Sequence, residues 1–432
     1  MNTSTKKGKG LGEYMPLAFA AGIGSMLGSG IIVGLSATIV VWQEGLGLDT
    51  TQVGLLSGIL TFAIAFGSLF GGRLADKIGR VLFFNWINLF YAIGAAICVF
   101  APNFTVLLIG LIIAGLASGA DLPVSMTIVS HDAPDEATAA QLVSTTQVFW
   151  QVGVFISFIC AFLVSAMQGA TGGRVVFAIL AVFAVIAWLW RLLSPTFRRF
   201  HEAADVRDAA RPAAVGNGKV SVTKVLFGAD KKVLLTYFLA IVIFYVGWNL
   251  LANTWGQFQT YMFSKAGAAQ SLATGLGIIL NFVTLVLNIV FASIAGGKYR
   301  NKAFFAGIVI SLIAMAAMAM GGADLWVIVG ATAFMNLGSP LAGEALYKVW
   351  TQESFPIEIR ASIQGFINGF SRLCCGLFAL ITPALVLPET IQTTMWCFFG
   401  IVIIEGIAGT IMIRAQKKYG TDEERQAHKI AA

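Results

Sequence analysis

The sequence predicts an all-α polytopic membrane protein with 12 transmembrane helices in two pseudo-symmetric six-helix halves. Of its 432 residues, 57% are hydrophobic and only 11% are charged, whereas about a quarter of the residues in a soluble domain are charged. Charged residues are absent from long stretches, including 14–43, 50–72 and 233–264. Because about 20 apolar residues cross a bilayer, each of these stretches is long enough to span one.

Apolar runs separated by charged or turn-forming residues predict the individual spans in order. The first six are 17–43, 51–71, 82–101, 104–129, 140–166 and 173–193, and the last six are 234–258, 271–296, 303–321, 324–350, 361–385 and 392–414. The chain therefore divides into an N-terminal segment (1–16), an N-terminal half (17–193), a linker (194–233), a C-terminal half (234–414) and a C-terminal tail (415–432).

The distribution of Lys and Arg predicts the orientation of these spans. If both termini are cytoplasmic, 24 of the 28 Lys and Arg residues lie on the cytoplasmic side, and only Arg174 and Lys265 lie in outer loops. Cytoplasmic loops of membrane proteins carry such an excess of basic residues. We therefore expect a multi-pass protein of the plasma (inner) membrane with cytoplasmic termini and linker. The net charge of +7 follows from this topology, and we expect no nucleic-acid partner.

Landmarks at the ends of spans recur in both halves at one offset. Pro134 after span 4 matches Pro356 after span 10, and Arg191 at the end of span 6 matches Arg414 at the end of span 12, each roughly 220 residues later. Parallel repeats of six helices are typical of facilitator-type secondary transporters.

Motifs for covalent chemistry are missing from the sequence. The three His and five Cys residues have no metal-ligand spacing, and the sequence contains no P-loop, nucleophile elbow or dinucleotide fingerprint. We therefore predict no enzymatic activity, no metal and no cofactor. The expected partners are a small-molecule solute, the lipid bilayer and, if transport is coupled, protons, and we expect a monomer.

Amide and aromatic residues inside the spans predict a solute-binding cavity. A carboxamide both donates and accepts hydrogen bonds, which suits the hydroxyls of a sugar or polyol. The candidate solute-binding residues of this type are Gln147 and Gln151 on span 5, Trp248, Asn249, Asn253 and Gln257 on span 7, Asn281 and Asn288 on span 8, Tyr347 on span 10 and Asn368 on span 11. The alternative for any one amide is a hydrogen bond between helices.

Charged residues inside the spans are costly and therefore indicate function. Glu344 and Lys348 lie four residues apart on one face of span 10, and Arg372 lies on span 11. These three either form a buried ion cluster that joins the helices or line the cavity and bind solute oxygens. Glu344 and Asp121 of span 4 are the candidates for proton coupling, with helix packing as the alternative for Asp121.

The segment Gly72–Arg80, between spans 2 and 3, resembles the G-x-x-x-D-[RK]-x-G-[RK]-[RK] signature of the major facilitator superfamily, with Val81 at the last position. The segment Trp350–Arg360 resembles the W-x-x-E-x-F-P-x-x-x-R motif that ends span 10 in the sugar-porter branch. The resemblance implies two cytoplasmic gating turns. Their residues are Gly72, Asp76, Lys77, Gly79 and Arg80 in the first and Glu353, Pro356 and Arg360 in the second.

The same resemblance implies a sugar or polyol as the solute. Gln147 and Asn253 fall where the sugar-porter branch has sugar-binding amides. Proton-coupled relatives carry an acidic residue in span 1 and an arginine in span 4. Here residues 14–43 contain no acid, and Leu111 replaces the arginine. The resemblance therefore implies that the usual route of proton coupling is absent.

Several functions are compatible with these patterns. The first is a secondary transporter that moves a sugar or polyol by alternating access, with or without proton coupling. A second is a carrier of a small organic acid or sugar acid that uses Arg372 and Lys348. A facilitative uniporter is a third, and a non-transporting membrane sensor is a remote fourth.

Overall fold

The structure, a computed structural model, describes residues 11–133, 136–210, 226–228, 230–294, 299–422 and 424–425. Within these residues the chain forms fourteen α-helices. The first seven are α1 (Met15–Leu46), α2 (Thr50–Ile78), α3 (Arg80–Val99), α4 (Phe104–Asp132), α5 (Glu136–Leu163), α6 (Thr171–Leu193) and α7 (Pro195–Ala210). The last seven are α8 (Lys231–Lys265), α9 (Gln270–Ile294), α10 (Arg300–Gly321), α11 (Leu325–Gly338), α12 (Glu344–Ser354), α13 (Ile357–Leu385) and α14 (Ile391–Tyr419).

Ten of these helices are long and apolar enough to cross a membrane. The two remaining predicted crossings, spans 5 and 10, correspond to α5 and to the pair α11–α12. Their apolar parts, Val148–Leu163 and Leu325–Gly338, are shorter. The observed helices are therefore consistent with twelve crossings and confirm the all-α membrane fold.

Span 10, predicted as one helix over 324–350, is broken in the structure. Helix α11 ends at Gly338, and α12 begins at Glu344 after a turn. The turn contains Pro340, which has no N–H to donate to a helix, and Gly343, whose φ of −142° and ψ of −146° are not helical. Proline and glycine are the weakest helix formers, so their clustering here explains the break.

The first part of the predicted linker is helical. Helix α7 packs against α4, where His201 Nδ1 lies 2.5 Å from the Asp132 carboxylate. The ring of Phe200 stacks on Tyr14 with a centroid separation of 5.2 Å. These contacts attach α7 to the helices that precede it. Residues 211–225 of the linker lie outside the described part of the chain.

Backbone packing groups the chain into two compact units. Of the described residues, the first unit contains 11–34, 63–133, 136–157 and 174–210, and the second contains 35–62, 158–173 and those from 226 onward. The second unit thus contains the C-terminal half together with the last part of α1, the first part of α2 and the last part of α5. In the predicted topology these parts lie farthest from the cytoplasmic turns. Within it, α8 packs against α12, α13 and α14.

Candidate functional site

Three aromatic side chains of α8 and α12 form a stack in the second unit. The ring centroids of Tyr245 and Tyr347 lie 3.9 Å apart with an interplanar angle of 18°. Trp248 also stacks on Tyr245, with a centroid separation of 5.7 Å. Both tyrosines are buried, whereas Trp248 is half-buried. Rigid aromatic faces of this kind form the apolar wall of many ligand sites.

Hydrogen bonds connect this aromatic stack to α13. The Tyr245 hydroxyl donates to Asn368 Oδ1 at 3.3 Å, and the Tyr347 hydroxyl donates to the Gln364 carbonyl at 2.8 Å. Asn249 Nδ2 donates to Ser371 Oγ at 2.7 Å. In each asparagine, only one of the two polar atoms of the side-chain amide takes part in these bonds. The Asn249 Oδ1 acceptor and the Asn368 Nδ2 donor have no partner within the described part of the chain.

The charged residues of α12 form an accessible ion pair. Lys348 Nζ lies 2.8 Å from Glu344 Oε1, and the two side chains are 39% and 46% exposed. Arg372 on α13 is half-buried and forms no hydrogen bond or ion pair with another described residue. The structure thus contains the predicted pair but not a buried triad that includes Arg372. The arrangement leaves the charges accessible to a solute.

The break between α11 and α12 lies beside the same aromatic stack. Trp248 Nε1 donates to Ser339 Oγ at 2.9 Å, and a Cβ atom on Gly343 would lie 2.6 Å from Trp248 Nε1. Glu344 occupies the first turn of α12, where backbone N–H groups have no helical acceptor. A negative charge is favourable at this position. The break was not predicted from the sequence, although the proline and glycine residues of this segment are the feature that could have indicated it.

The remaining amides of the C-terminal half are placed differently. Gln257 is buried and donates to Asn253 Oδ1 at 2.7 Å and to Thr61 Oγ1 of α2 at 2.9 Å. Asn281 Nδ2 donates to the Gly277 carbonyl of its own helix at 2.9 Å. Asn288 is exposed. Among these residues, only Asn253 and Gln257 are brought together. Their mutual bond lies within α8, and the bond from Gln257 to Thr61 connects α8 to α2.

Asp121 lies in a buried ion pair of the first unit. Arg191 Nη1 contacts Asp121 Oδ1 at 2.6 Å, and Arg191 Nη2 contacts Oδ2 at 3.1 Å. The side-chain exposures are 0% for Arg191 and 2% for Asp121. The guanidinium also donates to the Ala20 carbonyl at 2.7 Å and the Phe84 carbonyl at 3.0 Å. This cluster joins α1, α3, α4 and α6, an arrangement that favours helix packing over proton transfer as the role of Asp121.

Span 5 contributes two predicted residues, both in α5. Gln151 is half-buried in the first unit. The side chain of Gln147 lies outside the described part of the structure. Their function as solute ligands therefore stays a prediction.

The first predicted gating turn joins α2 to α3 through Gly79. This residue has φ 105°, a conformation that favours glycine, and its carbonyl accepts a hydrogen bond from the Phe83 N–H at 2.9 Å. Lys77 and Arg80 are exposed, and Gly72 is half-buried. The side chain of Asp76 lies outside the described residues.

The second predicted gating turn is held by Glu353. Its carboxylate accepts two bonds from Arg300 of α10, at 2.6 and 3.0 Å, and one from Gln416 of α14 at 3.2 Å. Pro356 caps the start of α13, and the side chain of Arg360 is not described. Arg300 and Gln416 are partners that the motif alone does not identify. Among the described residues, no group of three or more His, Cys, Asp or Glu side chains could hold a metal ion.

Known proteins with similar sequences are membrane transporters. The sequence profile of the Major Facilitator Superfamily matches residues 17–379. The chain is 29% identical over 405 residues to the minor myo-inositol transporter IolF of Bacillus subtilis, covering 91% of this chain and 89% of that protein. It is 28% identical over 179 residues to the probable polyol transporter 4 of Arabidopsis thaliana, covering 41% of this chain and 33% of the relative.

Solved structures show the same fold at low sequence identity. A D-xylose–proton symporter superposes with a TM-score of 0.74 at 14% identity, covering 92% of this chain and 97% of the other. The inward-open xylose transporter XylE from E. coli gives a TM-score of 0.73 at 15% identity, covering 96% of this chain and 99% of that one. With a profile match over most of its length and this fold, the chain belongs to the Major Facilitator Superfamily.

Proposed function

We propose that this protein is a secondary transporter that moves a polyol or sugar by alternating access. The observation that carries the proposal is the pair of unsatisfied amide atoms, Asn249 Oδ1 and Asn368 Nδ2, beside the Tyr245–Tyr347–Trp248 stack within the described part of the chain. One acceptor and one donor next to aromatic faces suit a ring that carries alternating hydroxyls. The Bacillus relative is named a myo-inositol transporter and the Arabidopsis relative a probable polyol transporter, which supports a polyol as the solute.

Each group of this site has a proposed role. Asn249 and Asn368 bind solute hydroxyls, while the half-buried Trp248 of the aromatic stack covers the apolar face of the ring. Lys348 donates to a solute oxygen, and Glu344 accepts from a hydroxyl or takes up a proton in coupled transport. The sequence candidates Gln147, Gln151, Asn281 and Asn288 are proposed ligands without a contact that connects them to the stack. We also propose the inner membrane as the location, cytoplasmic termini and a monomeric state.

Transport into proteoliposomes tests this function directly. We expect uptake of at least one neutral solute from a panel containing myo-inositol, D-xylose, D-glucose and mannitol. Removing the amide with Asn249→Ala should raise KM about 10-fold, because roughly 1.4 kcal/mol of hydrogen bonding is lost. The matched control is Asn301→Ala, which removes an exposed amide at the start of α10, outside the proposed site, and should leave KM unchanged.

Two outcomes of this assay would count against the proposal. The first is an absence of uptake of every neutral solute, and the second is an equal KM in Asn249→Ala and the unsubstituted protein. Repeating uptake with the proton gradient collapsed separates the two energetic modes. An unchanged uptake rate that runs only to equal concentrations on both sides would exclude proton symport and leave facilitated uniport.

A second candidate function, transport of a small carboxylate, is favoured by Arg372. This guanidinium is half-buried and forms no ion pair within 4 Å with a carboxylate of the described residues, although its charge interacts with that of Glu344. In an acid carrier it would form a bidentate pair with the solute. Arg372→Gln is then expected to reduce carboxylate uptake by about 100-fold or more, since breaking a buried pair costs roughly 3–5 kcal/mol.

The same substitution has a different expected result in a polyol transporter. There Arg372→Gln should change the KM for myo-inositol by no more than about 10-fold, because only one hydrogen bond is lost. Uptake of myo-inositol and of a sugar acid such as glucuronate, measured side by side in one variant, separates the two functions. Loss of acid uptake with little change in polyol uptake would identify Arg372 as an anion-selecting residue.

A further inference from the structure

A polar cavity of about 410 Å³ lies in the second unit, away from the aromatic stack. It is lined by the end of α1 (40–44), the connection between α5 and α6 (165–169) and the connection between α8 and α9 (264–270). Its volume falls within the range of small-molecule sites, roughly 300–1,000 Å³. All of its lining residues belong to this one packing unit.

Two opposite charges line the cavity without pairing. Glu44 is exposed and Lys265 is half-buried, and neither forms an ion pair with a described residue. The Lys265 ammonium lies 5.1 Å from the centroid of the Tyr261 ring. The carboxylate accepts hydrogen bonds and the ammonium donates them. A solute with several hydroxyls can satisfy both.

Two buried uncharged atoms of the cavity wall also lack partners. They are Ser264 Oγ and Gln270 Oε1, neither of which has a hydrogen bond in the described part of the chain. The Gln270 amide is held in place because its Nε2 donates to the Ala37 carbonyl at 2.5 Å. A buried polar atom without a partner costs about 1–3 kcal/mol. A bound hydroxylated ligand would offset that cost.

The cavity is far from the proposed transport site. Ser264 and Tyr245 lie on the same helix, α8, nineteen residues apart. At about 1.5 Å per residue this separates them by roughly 28 Å along the axis. The cavity also lies at the C-terminal ends of α1 and α8. In the predicted topology both helices begin on the cytoplasmic side, so these ends are at the outer face.

We propose that this cavity, which we call the outer cavity, is a docking site for polyhydroxylated solute before it enters the transport pathway. This inference rests on the proposed function, because it takes the same class of solute. Glu44 accepts a hydrogen bond from one solute hydroxyl, and Lys265 donates one to another. Ser264 and Gln270 complete the site. The outer cavity lowers the concentration at which uptake from the outer side saturates and has no part in release on the other side.

The test compares the two directions of transport with labelled myo-inositol in intact cells. Glu44→Gln and Lys265→Gln should each raise the KM of uptake roughly 3- to 10-fold, while the half-saturating internal concentration for efflux from preloaded cells stays unchanged. Ala269→Trp fills the outer cavity without altering charge, and should raise the uptake KM in the same way. Glu389→Gln neutralises an exposed acid in the α13–α14 connection, outside the cavity, and is the matched control.

The possible results distinguish this inference from the proposed function. Equal changes in uptake and efflux, or an unchanged uptake KM in all three cavity variants, would overturn the docking site. An effect of the two charge substitutions without an effect of Ala269→Trp would also overturn it, since long-range charge alone would then explain the result. If the unsubstituted protein moves no hydroxylated solute in either direction, the proposed function itself fails.

Discussion

Replacing Asp121 with alanine is expected to destabilise the protein by about 3–5 kcal/mol. The substitution leaves the guanidinium of Arg191 buried, with 0% side-chain exposure and without its counter-charge. The carbonyls of Ala20 and Phe84 would still accept from Arg191, but they cannot neutralise it. The measurement is thermal unfolding of the detergent-purified protein, followed by tryptophan fluorescence, and we expect the midpoint to fall by roughly 10 °C.

A double substitution provides the control for this ion pair. Asp121→Leu combined with Arg191→Met removes both charges and should recover most of the lost stability, because a buried ion pair and a packed apolar pair are often equivalent. The conservative variant Asp121→Asn separates packing from proton transfer. A variant with normal stability that no longer accumulates solute against a gradient would contradict the structural role and identify Asp121 as a proton carrier.

This ion pair also shows what the sequence could and could not predict. Asp121 was recognisable because a charged residue inside a span is costly and requires compensation. Its partner is 70 residues away in the chain, at the end of another helix. Arg191 lay where basic residues are expected from topology alone, so nothing in its position indicated a buried contact. Pairing between helices depends on their relative rotation, which the hydropathy pattern does not contain.

The proposed transport site was predicted in part for a related reason. The amides of α8 follow a spacing of four residues, and this predicted one shared face. In the structure Asn249 bonds to Ser371 on α13, whereas Gln257 bonds to Thr61 on α2. Tyr245 was not identified, because a tyrosine in an apolar run is indistinguishable from a core residue until its neighbour Tyr347 is placed. The all-α membrane fold itself could be predicted from hydropathy alone.

Placing a leucine at Gly54 is expected to stop transport while leaving the protein folded and able to bind solute. Within the second unit, a Cβ atom on Gly54 of α2 would collide with the carbonyl oxygen of Leu380 on α13, and one on Gly58 would collide with the Leu380 side chain. Backbone contact this close is possible only for glycine. In alternating access, one end of the transporter closes as the other opens. We propose that this contact closes one end.

A larger side chain at Gly54 would keep that end from closing, so the transport cycle would not be completed. We expect the uptake rate of Gly54→Leu to fall by at least about 100-fold, which corresponds to roughly 2.7 kcal/mol of additional barrier. Stabilisation of the variant by myo-inositol in thermal unfolding should persist, because Asn249, Asn368 and the aromatic stack are untouched. Gly330→Leu is the matched control, because a Cβ atom on this helical glycine would meet no neighbouring atom of the described chain within 4 Å. Normal uptake by Gly54→Leu would show that the α2–α13 contact takes no part in the cycle. Equal losses in both variants would show that replacing any helix glycine with leucine causes the defect, whatever the contact at that glycine.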